Sequence, residues 1–221
     1  MSTKGPLLTL GAVAVLGAAL LLANVSNESA PPQSINPSAS SVSASASPGS
    51  LSPQSPTLPP PEAFPAKADY VGKIPTDSGA MTLEITVEGD KAIAYACDGK
   101  SVEAWLRGSA VNGTVSLDNK DRTSHLTGQL VGGSVTGILS INQDQRNFTA
   151  APAQPPAGLY VYLENGTRDS WIIDQNNGVT GVVRRPDGSK SPAPALSING
   201  TAVINNKTIT ATRVEGNSNV V

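Results

Sequence analysis

From residue 68 onward the chain meets a tight-turn signal at intervals of about 8–12 residues, a spacing that suits short antiparallel strands and little else. Gly89-Asp90, Asp98-Gly99, Asn112-Gly113, Gly132-Gly133, Asn165-Gly166 and Asn176-Asn177-Gly178 all supply residues that tolerate positive φ. Between these turns, residues 81–87 alternate apolar and polar side chains, so Met81, Leu83, Ile85 and Val87 share one face of a half-buried strand. Residues 91–97 and 101–107 form a hairpin around Asp98-Gly99, and 114–117, 125–131 and 134–141 continue the series. A break with three prolines follows at 151–157, then strands at 159–164, 168–174 and 179–185, and a last hairpin at 202–204 and 207–212. No helical period is evident after residue 67. The expected fold is all-β, an antiparallel meander forming a small barrel or sandwich. Sequential hairpins favour the up-and-down form, and Gly128 and Gly137 suit the bends that barrel closure requires.

The start of the chain has a different texture. Residues 6–23 are 18 positions without a charge, rich in Leu, Ala, Val and Gly, and Lys4 precedes them. As a helix at ~1.5 Å per residue this run reaches ~27 Å, close to the hydrocarbon thickness of a bilayer. Cleavage-site signals are poor, so residues 1–25 are expected to be an uncleaved signal anchor, one transmembrane helix that exports the rest of the chain. Residues 26–66 contain 12 Ser and 10 Pro in 41 positions. Proline cannot join a ladder or a helix interior, and serine adds little apolar burial to offset chain entropy, so this segment is expected to be a disordered tether. The remaining expectations are a β domain at 67–214, with a sub-boundary possible at 151–157, and a frayed end at 215–221.

Charge and cysteine content narrow the partners. Residues 67–221 hold 14 Lys/Arg and 15 Asp/Glu, and Arg184-Arg185 is the only adjacent basic pair. Nucleic-acid binding needs a concentrated basic face, so no nucleic-acid partner is expected. Cys97 is the single cysteine, so no internal disulfide forms, and it is expected to be a small buried apolar side chain.

Several short motifs carry a family resemblance. Residues 95–99 (Tyr-Ala-Cys-Asp-Gly), 104–108 (Ala-Trp-Leu-Arg-Gly), Gly158-Leu159-Tyr160 and Trp171-Ile172-Ile173 resemble a group of actinobacterial, mycobacterial-type exported proteins that join an N-terminal membrane segment, a Ser/Pro-rich spacer and a β-rich domain. The resemblance spans roughly residues 68–185. It implies a place in a Gram-positive cell envelope and transfers no catalytic motif.

The residues themselves point to no catalytic set. His125 is the single histidine, no serine sits in a G-x-S-x-G elbow, and a dyad of Cys97 with His125 is not demanded by the pattern. Asp118-Asn-Lys-Asp121 reads as a solvated turn rather than a metal loop, since Lys120 and Arg122 oppose a cation. There is no phosphate loop or dinucleotide fingerprint, so neither metal nor cofactor is expected. What remains is a surface. Glu103, Trp105 and Arg107 alternate onto one face of their strand, with Val102, Ala104 and Leu106 on the other; either Trp105 is a central core residue and the Ala/Leu face is the outer one, or an exposed Trp105 flanked by charges would anchor a protein or glycan. The expected role is a membrane-tethered, extracytoplasmic, non-enzymatic binding or accessory module with an envelope protein or glycan as partner. The alternatives are an envelope-directed hydrolase using Glu84, Glu88, Asp98 and Glu103, and a barrel carrying an apolar ligand.

Overall fold

The structure, a computed structural model, describes residues 62–220. The anchor and most of the tether expected from the sequence lie outside the described residues. Among the described residues there is no helix, and so none long and apolar enough to cross a membrane.

Eight strands form a closed antiparallel barrel in simple up-and-down order: β1 (Lys67–Thr76), β2 (Gly79–Glu88), β3 (Lys91–Cys97), β4 (Glu103–Val111), β5 (Thr114–Asp118), β6 (Ser124–Val131), β7 (Ser134–Ile141) and β8 (Asp144–Ala153). The hairpins fall at the turn signals, and Asn112, Gly113, Gly132 and Gly133 all take positive φ. Closure depends on β1 and β8, which the sequence pattern does not announce. They pair over Asp69↔Ala153, Tyr70↔Pro152 and Val71↔Ala151. The lumen is filled by Leu83, Ile85, Leu106, Leu117, Leu126, Leu139 and Phe148, with the small Ala92, Ala94 and Ala96 beside them. Gly137 lies opposite Gly128, and a Cβ on Gly137 would strike the Thr127 carbonyl, so close strand approach requires a glycine there.

The later strands do not extend the barrel. β9 (Gly158–Glu164), β10 (Thr167–Ile173), β11 (Val179–Arg184), β12 (Lys190–Pro192) and β15 (Thr212–Arg213) make a second sheet in the order β12-β11-β10-β9-β15. This sheet lies on the outer wall of β1–β4. Val71, Ile93, Tyr95, Cys97 and Trp105 from the barrel meet Leu159, Val161, Ile172 and Val182 from the sheet in a shared core. The hairpin β13 (Thr201–Ile204) and β14 (Lys207–Thr210) packs Ala202 and Ile209 against Trp171 and Ile173 on the sheet's far side. Barrel, sheet and hairpin thus stack as three layers with two cores between them.

The two ends of the barrel differ. At one end Phe64 packs against the core and edge-on to Tyr70, and the Gly133 amide donates to Glu62. Here the described chain enters and the β2–β3, β4–β5 and β6–β7 turns gather. The other end carries the β1–β2, β3–β4, β5–β6 and β7–β8 connections and stays open.

A candidate binding groove at the open end of the barrel

Two hollows adjoin at the open end and share Ile141 and Asn142 in their linings. The first, about 560 Å³, is the barrel mouth, with Met81, Leu139, Ile141 and Val102 inside and Asp77, Asp98, Asp144 and Arg146 at the rim. The second, about 730 Å³, is a polar groove between the β5–β6 connection and the overhanging second sheet. Asn119, Lys120, Asp121 and Thr123 form its barrel side, Arg168, Arg184 and Lys190 its sheet side, and Glu103 and Trp105 its floor.

The sheet side follows from strand register. In β10–β11–β12, Arg168 pairs with Arg184, and Arg184 pairs with Lys190. Directly opposed residues point to the same face, so three cations stand in one row across three strands. Arg168 is the innermost. It bonds Glu103 at 3.2 Å and lies 4.9 Å from the Trp105 ring centroid as a cation–π contact. The second carboxylate oxygen of Glu103 accepts from the Tyr95 hydroxyl at 3.1 Å. Among the described residues, Arg184 and Lys190 have no carboxylate within ion-pair distance. Trp105 Nε1 and Arg168 Nε are buried donors with no acceptor among the described residues, an arrangement that costs about 1–3 kcal/mol each.

The expected trio of Glu103, Trp105 and Arg107 does occupy one face of β4, and Ala104 and Leu106 point into the lumen. That outer face is covered, however. Trp105 is 5% exposed under the second sheet, packed tilted on Tyr95 with ring centroids 4.7 Å apart. Glu103 and Trp105 stay together at the groove floor. Arg107 is exposed, and its guanidinium donates to the Ser218 carbonyl. Ser218 belongs to residues 215–221, expected as a frayed end, where Glu215 also pairs with Lys67 at 2.7 Å.

The carboxylates considered for hydrolysis are dispersed. Partial burial favours the neutral form of Asp98, but the amides of Lys100, Ser101 and Val102 donate to its carboxylate and together hold it below the usual range. Glu88 pairs with Lys67 at 3.1 Å. Glu84 is 0% exposed beneath the second sheet, and its carboxyl oxygens have no bonding partner among the described residues. Burial, then the nearby charge of Asp69, pushes its carboxyl well above the usual carboxylate range, against the pull of Arg213. Asp69 itself is bonded by Arg213 at 2.8 Å.

Cys97 is buried in the barrel–sheet core, where desolvation pushes its thiol up to about 12. It is nowhere near His125, which projects from the bare wall of β6. His125 pairs with Asp118 across β5–β6 and lies opposite Ser140 on β7. Carboxylate, imidazole and hydroxyl in a row have the order of a catalytic triad, but His125 and Ser140 make no hydrogen bond and line neither hollow. Among the described residues no group of three or more metal-type ligands converges.

Sequence reasoning missed Arg168, Arg184 and Lys190. Their signal was available: the turn at Asn176-Asn177-Gly178 sets the hairpin register that places Arg168 opposite Arg184. The chain matches no protein-family model, no curated protein and no solved structure.

Proposed function

We propose that this chain is a membrane-tethered, extracytoplasmic binding module of the cell envelope, non-enzymatic in action, whose partner docks in the groove at the open end of the barrel. The observation that carries the reading is polarity of the domain. The described chain enters at the plugged end, at Glu62–Phe64, while the groove and the mouth lie at the opposite end. A domain tethered by its plugged end presents its open end away from the attachment point. The apolar run at 6–23 and the Ser/Pro-rich segment supply the anchor and the reach.

The groove also has the make-up of a recognition site. Its floor holds an aromatic ring under a guanidinium, and its walls hold cations without local partners. A carrier role fits less well, since the lumen is filled by its own side chains and only the mouth remains open. A hydrolase acting through the four carboxylates fits less well again, since Glu84, Glu88, Asp98 and Glu103 do not share a cleft.

The test is affinity purification of the full-length protein from mild-detergent membranes of its host, beside the Arg184→Glu/Lys190→Glu double variant. The reading expects a stoichiometric partner that the variant loses while remaining folded and membrane-bound. Equal recovery of that partner by both forms would move recognition elsewhere on the molecule.

A further inference from the structure

The row of cations on the second sheet is costly as it stands. Like charges directly opposite one another repel, and Arg168–Arg184–Lys190 repeats that arrangement twice in succession. Glu103 answers Arg168 alone. Lys120 adds a fourth cation from the barrel side, and the one other carboxylate in the lining, Asp121, is turned to the Thr123 hydroxyl at 2.9 Å. Arg184 and Lys190 are exposed, but together with Arg168 and Lys120 they border one groove, so four cations converge on a shared volume.

We infer that the groove is an oxyanion site for a phosphate-bearing ligand of at least two negative charges, a phosphomonoester or a pair of linked phosphodiesters. The inference rests on the groove being the recognition surface. The chemistry follows from spacing. Adjacent strands lie about 4.8 Å apart, so the three row positions span about 10 Å. A lone carboxylate satisfies one guanidinium, as Glu103 already does for Arg168. A tetrahedral anion offers oxygens in several directions and can engage Arg184, Lys190 and Lys120 together, with the planar Arg184 fork suited to two phosphate oxygens.

The experiment is isothermal titration of the full-length protein in detergent with pyrophosphate, at low and at physiological salt. Expected is one site per chain that weakens as salt rises. Arg184→Ala/Lys190→Ala should weaken it by about tenfold or more, whereas Lys207→Ala, on the β13–β14 hairpin, should leave it unchanged. Far-ultraviolet circular dichroism of each variant confirms the fold. Absence of binding, or binding indifferent to the double variant, overturns the inference. If pyrophosphate fails to bind while the Arg184→Glu/Lys190→Glu protein still loses its partner, the docking role stands and the phosphate chemistry falls. Titration of the same detergent-solubilised protein with cardiolipin in mixed micelles, whose headgroup links two phosphodiesters, identifies the source. Binding lost in the double variant assigns the phosphate to a lipid headgroup. No binding beside intact pyrophosphate binding assigns it to a soluble or polymeric ester.

Discussion

The two halves of the barrel wall are made of strands with similar sequence texture and opposite surroundings. In β5–β8 one face fills the lumen and the other meets solvent: Leu126 and Leu130 point in, while His125, Thr127, Gln129 and Val131 are exposed. In β2 and β3, and in the parts of β1 and β4 beneath the second sheet, both faces are buried. β2 sends Leu83, Ile85 and Val87 inward, and its outer side chains Thr82, Glu84 and Thr86 disappear under the second sheet. Polar alternation therefore does not by itself mean exposure. A second layer can cover a polar face if it brings partners, as Thr180 does for Thr82 at 3.0 Å and Arg213 does for Asp69. Glu84 is the exception, buried with no hydrogen-bond partner among the described residues.

The contrast makes quantitative predictions. The largest concerns access. With its thiol buried and raised to about 12, Cys97 should resist alkylation at pH 8 until the domain opens, ~10³-fold or more slower than a cysteine placed on the bare wall by Thr127→Cys in a Cys97→Ser background. Comparable labelling rates would show that the second sheet detaches readily. Next comes packing. Ile93→Ala, on the covered outer face of β3, should destabilise by about 2–5 kcal/mol, as much as a lumen substitution such as Leu126→Ala. Thr127→Ala, on the bare face, should stay within about 0.5 kcal/mol by denaturant unfolding. A mild effect of Ile93→Ala would break the equivalence of the two cores.

The smallest and most specific effect is electrostatic. The unfolded chain releases the Glu84 proton near pH 4.3, whereas the folded domain still holds it, because the native carboxyl is raised. Stability associated with this group is thus full below about pH 4.3 and falls as pH rises toward the native value, by about 1.4 kcal/mol per pH unit inside that window. Glu84→Gln should remove that slope and be the more stable form at neutral pH. Asp98 and Asp174, whose carboxyls are lowered, act in the other direction: the stability they contribute is present above about pH 4 and lost as pH falls. A Glu84→Gln profile parallel to the wild type would mean that Glu84 is ionised in the fold.

Much of the barrel is written locally. The hairpin turns and the alternating strands identify β3 and β5 to β7 to within a residue, because local φ preferences and face burial set those elements, whereas β2 starts two residues before the expected strand and β4 runs four residues past it. The strands that close the ring are not legible that way. β1 carries Gly72 and Pro75, and β8 carries Pro152 next to its last residue, all residues that argue against a strand interior. Gly72 is there for a long-range reason: it lets the β8 backbone approach, since a Cβ would collide with the Thr149 carbonyl. Of the second sheet's strands, β9, β10 and β11 are legible, but not the short β12 and β15 at its edges, nor that the five form a separate layer. The candidate site was half visible. Glu103 and Trp105 were identified by alternation, but their burial and the facing cations depend on how the sheet lies on the barrel, a long-range fact. Arg107 shares their strand face and yet serves the C-terminal segment.

The most direct test of the account is to place a photoreactive residue at Lys190 in the groove, at Thr127 on the bare wall, and at Val131 beside the plugged end, each in the full-length protein in its host cells. The account predicts a discrete adduct from Lys190, lost on Arg184→Glu, and none from Thr127 or Val131. An adduct from the wall or the plugged end, with Lys190 silent, would contradict it.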